Sequence, residues 1–283
     1  DMDSFDALSK DIPVIVDLKP SGEGYMEDLH KAGGLPRILL ELKDKLHLDT
    51  HTITGKTLGE IIDETNFSWK QKIVKSAGNP VYREGGIAVL KGNLAPNTAI
   101  IKQSAASESL LTHTGRAVVF DGLEDLASRI DSEDLDVNED EILVLRNIGP
   151  KGAPGMPEAG LIPIPKKLAK RGVKDMVRIS DGRMSGTASG TIILHVAPEA
   201  AIGGPLALVQ SGDRICLDAA ARRLELLVSD EEMMRRKSAL QLPKMSPNRG
   251  YGKLFHDHVV QAPGGVDFDF LQDIDKAEAS GDA

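Results

Sequence analysis

Residues 179–201 read ISDGRMSGTASGTIILHVAPEAA. A short apolar run ends at Ser180, and a second one begins at Ile192 after a stretch rich in glycine, serine and threonine. Two short apolar runs separated by a glycine-rich segment are typical of strands joined by a loop. Such a loop is either an exposed turn or a backbone that bends closely around a ligand while its hydroxyl groups point at that ligand.

The same alternation of apolar runs and turn residues recurs along the chain from residue 87. Runs of this kind, rich in β-branched residues or leucine, predict short strands. Helices are predicted over 122–130, 162–173 and 229–240. The segment LPKMSPNRGYGKLFHDHV is predicted to run through a loop into a last helix, and the closing segment DKAEASGDA is predicted to be disordered. Many short strands indicate a β-barrel or a sandwich flanked by helices. The predicted strands are GIAVLKGNL, TAIIKQS, GRAVVFDG, EILVLRNIG, DMVRISDG, TIILHVAPE, GPLALVQSGD, RICLDA and RRLELLVS.

Residues 1–75 have a mainly helical pattern. The segment YMEDLHKAGGLPRILLELKDKL has leucines at helical spacing, interrupted by Gly33-Gly34 and Pro36. Thr54 and Thr57 are candidate N-caps for a helix that begins near Leu58. The turn-rich NPVYREGG follows, so we place a domain boundary at residue 80 and predict domains over 1–80 and 81–283.

Composition limits the classes of protein that fit. The chain has 283 residues, 41% of them hydrophobic and 27% charged, which is typical of a globular protein. The net charge of −9 argues against nucleic-acid binding and against attraction to anionic membranes. No apolar run is long enough to span a membrane, and the acidic first residues do not resemble a signal peptide. The single cysteine, Cys216, is interpreted as a small buried hydrophobic residue of a strand, in a reducing, cytoplasmic compartment.

A first candidate for chemistry is the loop GPKGAPGMPEAG, 149–160. Its glycines and prolines exclude regular secondary structure and stiffen the backbone. It holds one acid, Glu158, and a stiff loop with one carboxylate is a way to present a ligand to Mg²⁺. From composition alone, a surface loop with a solvated glutamate is the favoured interpretation.

The second candidate is the glycine-rich stretch itself. Ser185 and Thr187 alternate with glycines that would allow an anion-binding arrangement of backbone N–H groups. A catalytic serine needs an activating partner, and no histidine or lysine is adjacent in sequence. His195 lies within an apolar run and is interpreted as a packed strand residue. By spacing alone, a plain turn is the favoured interpretation.

Two further clusters carry less weight. Asp17, Lys19, Ser21, Glu27, Asp28 and His30 surround glycines, and a solvated loop entering a helix explains them as well as a binding site does. His256 and His258 are two residues apart, which places them on different faces of a helix and disfavours a zinc site.

Several long motifs occur together and in order, between residues 13 and 271. On these motifs the chain resembles the dihydroxy-acid/sugar-acid dehydratase family, which includes branched-chain dihydroxy-acid dehydratase and 6-phosphogluconate dehydratase. RMSGTASGT and FHDHVVQAPGGVDFDFL are similar to the pentonate dehydratases that act on arabinonate or xylonate, whereas branched-chain enzymes more often have an RFSGG-like sequence. The motifs are DLKPSGEGYMEDLHKAGG, GNLAP, GPKGAPGMPE, DGRMSGTASG, HVAPEAAIGGPLALVQSGD and SDEE.

The resemblance implies a reaction and three site residues. Glu158 falls on the family's Mg²⁺ ligand, Ser185 on the serine taken as catalytic base, and Thr187 on an assisting hydroxyl. The implied reaction is the loss of water from a 2,3-dihydroxy acid to give a 2-keto acid. Mg²⁺ would hold the substrate, and an iron–sulfur cluster, 2Fe–2S or 4Fe–4S, would act on the leaving hydroxyl.

The chain departs from the family in one respect, which limits what the resemblance implies. The family's three cluster cysteines lie in its N-terminal domain with a modified lysine and acidic metal ligands, and Cys216 matches none of them. The chain is therefore interpreted as the C-terminal portion: a helical tail of the N-terminal α/β domain, then a barrel similar to the swivelling domain of aconitase. A fragment and a natural short product both stay open. The apolar faces of the first 80 residues, with Leu39, Leu42, Ile61 and Ile62, should then be partly exposed.

Two classes of function follow. The first is part of a dehydratase acting on a small sugar acid or dihydroxy acid, inactive without the missing domain and homo-oligomeric, as a dimer or tetramer, in the full-length protein. The branched-chain dihydroxy-acid activity is an alternative within it. The second is a non-catalytic remnant that serves as a binding or dimerisation module. The intact motifs around Glu158 and Ser185 favour the first.

Overall fold

The structure, a computed structural model, describes residues 1–242 and 247–272. Contacts divide the chain into two compact units, with the division between Ile87 and Ala88. The closing segment predicted to be disordered, 275–283, lies outside the described residues.

The first unit is built from short helices and turns. The predicted helix break is confirmed, since α2 ends at Gly33, whose φ of +117° only glycine adopts without strain. Thr57 rather than Thr54 caps α4, through a capping box with Glu60. The helices are α1 Met2–Lys10, α2 Met26–Ala32, α3 Gly34–Glu41 and α4 Leu58–Asp63.

A small core stabilises the first unit. Its buried residues are Ile15, Leu29, Ala32 and Val74. The expectation that Ile62 is partly exposed is wrong, because this side chain is only 1% exposed. Leu39, Leu42 and Ile61 are half-buried, as expected. The more strongly exposed apolar side chains of this unit lie elsewhere and include Leu8, Met26, Leu35 and Ile53.

The second unit is a closed, eight-stranded barrel, which confirms the predicted fold class. Eight of the nine predicted strands are present. The ninth, 204–213, is wrong: Pro205–Leu208 forms a 3-10 helix, and Pro205 at its start lacks the N–H that a strand ladder needs. The strands are β1 Ala88–Gly92, β2 Ala95–Ile101, β3 Thr112–Asp121, β4 Ile142–Arg146, β5 Arg178–Ser180, β6 Ile192–Leu194, β7 Arg214–Asp218 and β8 Arg223–Leu226.

The order around the barrel is β1-β2-β6-β5-β4-β3-β7-β8. The run from β3 through β4 and β5 to β6 is parallel, and β1 pairs with β8 in parallel, while the other neighbours are antiparallel. The carboxyl ends of the four parallel strands therefore meet at one edge of the barrel. The segments that hold Glu158 and Ser185 leave from this edge, after β4 and β5.

Alternate residues of the parallel strands face two different cores, as the period of two predicts. On β4, Ile142 and Val144 join a core to which all eight strands contribute, inside the barrel. Leu143 and Leu145 join a second core that covers the outside with Leu126 and other helical residues. The helices of this unit are α5 Gly122–Arg129, α6 Lys166–Lys170, α7 Asp230–Ala239 and α8 Gly250–His258.

Cys216 lies in β7, so its interpretation as a strand residue is confirmed. The expectation that it is buried is wrong, because its side chain is only half-buried, on the opposite face of the strand from Ile215 and Leu217. Within the described part of the chain, no helix combines the length and the apolar character needed to cross a membrane.

Candidate active-site loops

The loop after β4 is fixed by a buried carboxylate that follows β5. Asp181 accepts hydrogen bonds from the backbone N–H groups of Asn147 at 3.1 Å, Ile148 at 3.0 Å and Ala200 at 2.9 Å. Asn147 has a φ of +64°, a conformation that asparagine tolerates better than most residues. The ends of β4 and β5 are thereby tied to the segment after β6.

Burial controls the ionisation of Asp181, whose side chain is 1% exposed. Burial disfavours the charged form and is the main reason why the pKa of Asp181 is raised. The nearby charge of Glu199 also raises this pKa, and the three backbone N–H groups lower it in part, so that the resulting pKa is about 6. Asp181 is therefore mostly ionised at neutral pH and becomes neutral in mildly acidic solution.

A second buried carboxylate, Glu199, holds the next turn of the same loop. It accepts hydrogen bonds from the N–H groups of Lys151 at 2.9 Å and Gly152 at 2.8 Å, and from the amide of Gln261 at 2.6 Å. A Cβ atom at Gly149 would lie 2.6 Å from the Glu199 carboxylate, so this glycine allows the close approach. Sequence reasoning missed Glu199, because a glutamate within an apolar run carries no signal of its partners.

Arg183 joins the two candidate loops. Its Nη1 lies 3.1 Å from Glu158 Oε1, and its Nε donates to the Met156 carbonyl at 2.5 Å. Its own carbonyl accepts from the N–H of Gly160 at 2.7 Å. Glu158 is thus held beside the start of the glycine-rich loop, with about half of its side chain exposed.

The glycine-rich loop presents its hydroxyl groups at a tight turn. The N–H of Ala188 donates to the Ser185 carbonyl at 3.1 Å, which closes the turn. Ser185 Oγ and Thr187 Oγ1 lie 3.0 Å apart, and the Thr187 N–H approaches Ser185 Oγ with an N–O distance of 3.5 Å. Ser185 is half-buried and Thr187 is exposed, so both can meet a ligand from solvent. The predicted pair of hydroxyls is therefore adjacent.

The far end of the loop is anchored by a second polar network. Asp175 accepts from the Ser107 hydroxyl at 2.7 Å and the Thr191 hydroxyl at 2.8 Å, and it pairs with Arg178 at 2.6 Å. Burial alone would raise the pKa of Asp175, but these hydrogen bonds and the Arg178 charge together lower it. Asp175 thus stays ionised and holds Thr191 where the loop enters β6.

A lysine that follows another strand contacts the middle of the glycine-rich loop. Lys102 follows β2, and its Nζ donates to the Gly186 carbonyl at 2.5 Å. Burial lowers the pKa of this ammonium group. Sequence reasoning did not single out Lys102, which is 84 residues from its partner.

His195 follows β6 and is half-buried. Burial, and then the positive charge of Arg183, lower the pKa of this histidine, so it is neutral at pH 7. Its backbone N–H donates to the Gly182 carbonyl at 3.1 Å. These contacts agree with its interpretation as a packed residue at the end of a strand.

The remaining clusters from the sequence have local partners. Asp17 pairs with Lys75 at 3.0 Å, and Asp28 accepts from the Tyr25 N–H at 2.8 Å, at the start of α2. His258 Nδ1 lies 2.9 Å from Asp269. The first two contacts fit a solvated loop that leads into α2, and the third lies at the end of α8.

The residues present do not make a complete metal centre. Within residues 1–242 and 247–272, no group of three or more His, Cys, Asp or Glu side chains is placed to hold a metal ion. Glu158 could supply one oxygen ligand, since its side chain is half exposed and the Arg183 guanidinium contacts its Oε1 atom at 3.1 Å. One cysteine in the sequence does not fit an iron–sulfur cluster, which needs several thiolates.

A cavity of about 660 Å³ opens on the other side of the loop after β4, lined in part by Arg146, Asn147 and Gly152. Neither Glu158 nor Ser185 lines it. The chemistry of the side chains, not the cavity volume, therefore identifies the candidate site.

Comparison with known protein families identifies the family of the chain. Residues 72–266 match the family model described as dihydroxy-acid/6-phosphogluconate dehydratase C-terminal, and residues 1–61 match the N-terminal model of the same family. The chain therefore belongs to the dihydroxy-acid/6-phosphogluconate dehydratase family.

Individual relatives act on different acids. The chain is 48% identical to an L-arabinonate dehydratase of Rhizobium leguminosarum bv. trifolii (strain WSM2304), over 96% of this chain and 47% of the relative. It is 46% identical to a 6-deoxy-6-sulfo-D-gluconate dehydratase of Pseudomonas putida, over 96% and 47%. It is 42% identical to a dihydroxy-acid dehydratase of Methanococcoides burtonii, over 94% and 48%. The chain spans about half the length of these relatives.

Proposed function

We propose that this chain carries part of the active site of a hydro-lyase that removes water from a 2,3-dihydroxy sugar acid and forms a 2-keto-3-deoxy acid. In this proposal Ser185 is the base, Thr187 assists it, and Glu158 is a metal ligand. The activity needs the other half of a full-length dehydratase, because the chain supplies only part of a metal centre.

The observation that carries the proposal is the bonding of Arg183 to the Glu158 loop. Arg183 lies two residues before Ser185, and its side chain holds Glu158 and Met156. Two segments that are 25 residues apart in sequence are thus fixed against each other. A dehydratase needs this proximity, because the base and the group that binds the substrate oxygens must act on neighbouring carbon atoms.

The proposed proton transfer starts at C2 of the substrate. The deprotonated Ser185 oxygen removes the C2 proton and becomes a hydroxyl, and the electron pair of the C–H bond forms the C2–C3 double bond. The C3–O bond breaks, and the leaving hydroxide takes up the proton that Ser185 accepted, which forms water and restores the deprotonated serine. The resulting enol tautomerises to the 2-keto acid.

Thr187 supports the charge on Ser185 in this scheme. Its hydroxyl is 3.0 Å from Ser185 Oγ and its backbone N–H is directed at the same atom. Two hydrogen-bond donors aimed at the deprotonated oxygen stabilise the negative charge that Ser185 carries before it takes up the C2 proton.

Glu158 is proposed to give one carboxylate oxygen to Mg²⁺, with the other ligands outside this chain. A bound Mg²⁺ stabilises negative charge on the oxygens of a 2-hydroxy acid as C2 loses its proton. Any iron–sulfur cluster is proposed to be held entirely by residues outside this chain.

A sugar acid is the favoured substrate class because relatives that act on sugar acids are 46–48% identical, against 42% for a dihydroxy-acid dehydratase. The RMSGTASGT motif of the loop adds to this preference.

The experiment uses a chimera in which this chain replaces the matched half of the L-arabinonate dehydratase. Keto-acid formation is measured from arabinonate, xylonate and a branched-chain dihydroxy acid. We expect turnover of a sugar acid by the chimera, slower turnover of the branched-chain acid, and none by the chain alone.

Equal or faster turnover of the branched-chain acid would contradict the substrate class. A folded chimera that turns over no acid, beside an active parent enzyme, would contradict the catalytic proposal and favour a non-catalytic module.

A further inference from the structure

Lys102 occupies an unusual position at the glycine-rich loop. It is the residue directly after β2, and the pairing of Ile101 with Ile193 places it beside the start of β6. Three successive contacts then join the segment after β2 to the loop: Lys102 with Gly186, the Ala105 carbonyl with the Gly190 N–H at 2.9 Å, and the Ser107 N–H with Thr191 Oγ1 at 3.1 Å.

The Lys102 ammonium group is half-buried and bonded to a neutral carbonyl. Over residues 1–242 and 247–272, no carboxylate forms an ion pair with it. A buried cation without an acidic partner carries a cost in solvation, and burial accordingly lowers the pKa of Lys102. Structural lysines on a protein surface usually avoid this cost by reaching solvent.

The peptide unit that Lys102 contacts links it to Ser185. The Gly186 carbonyl and the Thr187 N–H belong to the same planar peptide, so they point in opposite directions. The Lys102 ammonium group donates to the Gly186 carbonyl. On the opposite side of the peptide, the Thr187 N–H points at Ser185 Oγ, with an N–O distance of 3.5 Å. A cation on the carbonyl also polarises the peptide and makes its N–H a stronger donor.

We propose that Lys102 is a positioning residue for Ser185, which acts through the Gly186–Thr187 peptide. Its ammonium group fixes the orientation of this peptide and strengthens the Thr187 N–H as a donor to the Ser185 oxygen. The 3.5 Å contact is long for a neutral hydroxyl and shortens when the oxygen carries negative charge. The catalytic consequence rests on the proposed role of Ser185 as base, whereas the positioning itself does not.

The test uses the full chain with Lys102→Met, which keeps most of the length of the side chain but removes the charge, and Lys102→Arg, which keeps the charge. Lys170→Met is the matched control, because Lys170 is exposed on α6. NMR spectroscopy gives the exchange rate of the Thr187 amide proton with water, and the amide of Ile193 in β6 serves as an internal reference.

We expect Lys102→Met to speed exchange of the Thr187 amide by roughly two- to tenfold, the loss of about one hydrogen bond. Ile193 should keep its rate, Lys102→Arg should restore the Thr187 rate, and Lys170→Met should change neither. An unchanged Thr187 rate in Lys102→Met overturns the proposal. An equal increase at Thr187 and Ile193 also overturns it, because it shows general loosening of the barrel.

Turnover of the chimera gives the catalytic readout. Lys102→Met should lower kcat roughly tenfold or more with KM little changed, and Lys102→Arg should restore most of it. An unchanged kcat, beside a changed Thr187 exchange rate, overturns the link from the peptide to Ser185. A wild-type chimera without turnover contradicts the proposed function, while the exchange rates still decide whether Lys102 positions the peptide.

Discussion

Asp181 and Glu199 show how buried charge organises the site at the scale of single residues. Both carboxylates are 1% exposed, yet each accepts hydrogen bonds from at least two backbone N–H groups. Buried carboxylates are tolerated when such donors replace water. Apart from Ala200, which begins a 3-10 helix, these donors belong to the loop after β4. The two carboxylates thus take the place of a strand ladder and fix the path of the chain towards Glu158.

The pKa of Asp181 predicts a pH dependence of stability. The folded-state pKa of about 6 lies above the unfolded value of 3.8, so the native state binds more protons between these values. The contribution of Asp181 to the free energy of unfolding is therefore greatest below pH 4, falls as the pH rises to about 6, and is constant above it. The change is about 3 kcal/mol at most.

Urea unfolding of the wild type and Asp181→Asn, at intervals from pH 4 to pH 8, measures this. The wild-type minus mutant difference in unfolding free energy should fall up to pH 6 and then level off. A difference that is the same at every pH would contradict the raised pKa.

The site residues differ in how far the sequence predicts them. Composition and spacing favour a solvated Glu158 and a plain turn at Ser185, and only the resemblance of the surrounding motifs to a known family gives these residues a role. The structure places their loops in contact through Arg183. Lys102 has no such signal, since its partner is 84 residues away and the contact depends on the pairing of β2 with β6. Strand order is a property of the whole barrel, which local patterns do not encode.

At the scale of elements, two glycines of the loop between β5 and β6 have different surroundings. Gly190 has a φ of +120°, and a Cβ atom there would lie 2.0 Å from the Arg178 guanidinium. Gly186 has open space around its Cβ position. Gly190 is thus required by the close approach of the Arg178 side chain, and Gly186 has no such neighbour. That these glycines let a ligand approach the backbone stays a prediction.

These two glycines form a matched pair of variants. Gly190→Ala should destabilise the protein by roughly 1–3 kcal/mol, because the backbone is strained and Arg178 must move from Asp175. Gly186→Ala should change the unfolding free energy by less than about 0.5 kcal/mol. Thermal and urea unfolding of both variants give the comparison, and equal destabilisation of the two would show that the loop does not close on Arg178 as described.

The sequence predicts strands correctly where the pattern of apolar residues and the flanking turn residues indicate the same element. β3 and β4 alternate between two apolar cores, and their sequences show it. The segment 204–213 failed because its apolar residues have strand composition, while Pro205 and the left-handed Gly203 impose a 3-10 turn. Backbone geometry outweighed side-chain preference there.

At the scale of the whole molecule, the barrel topology brings the site together. Four parallel strands place the starts of the Glu158 and Ser185 loops at one edge, while β2 brings Lys102 to the other end of the glycine-rich loop. The chain spans about half the length of its relatives, and in its described residues no group of three or more His, Cys, Asp or Glu side chains is placed to hold a metal ion. The proposed reaction would therefore need residues in addition to those described.

The turnover ratio of two serine variants in the chimera tests the role of Ser185 most directly. Ser185→Ala removes the proposed base, and Ser189→Ala removes an exposed serine from the same loop. The account predicts that Ser185→Ala lowers kcat by ~10²–10⁴-fold at an unchanged melting temperature, while Ser189→Ala keeps near wild-type turnover. Near wild-type turnover in folded Ser185→Ala would contradict the account.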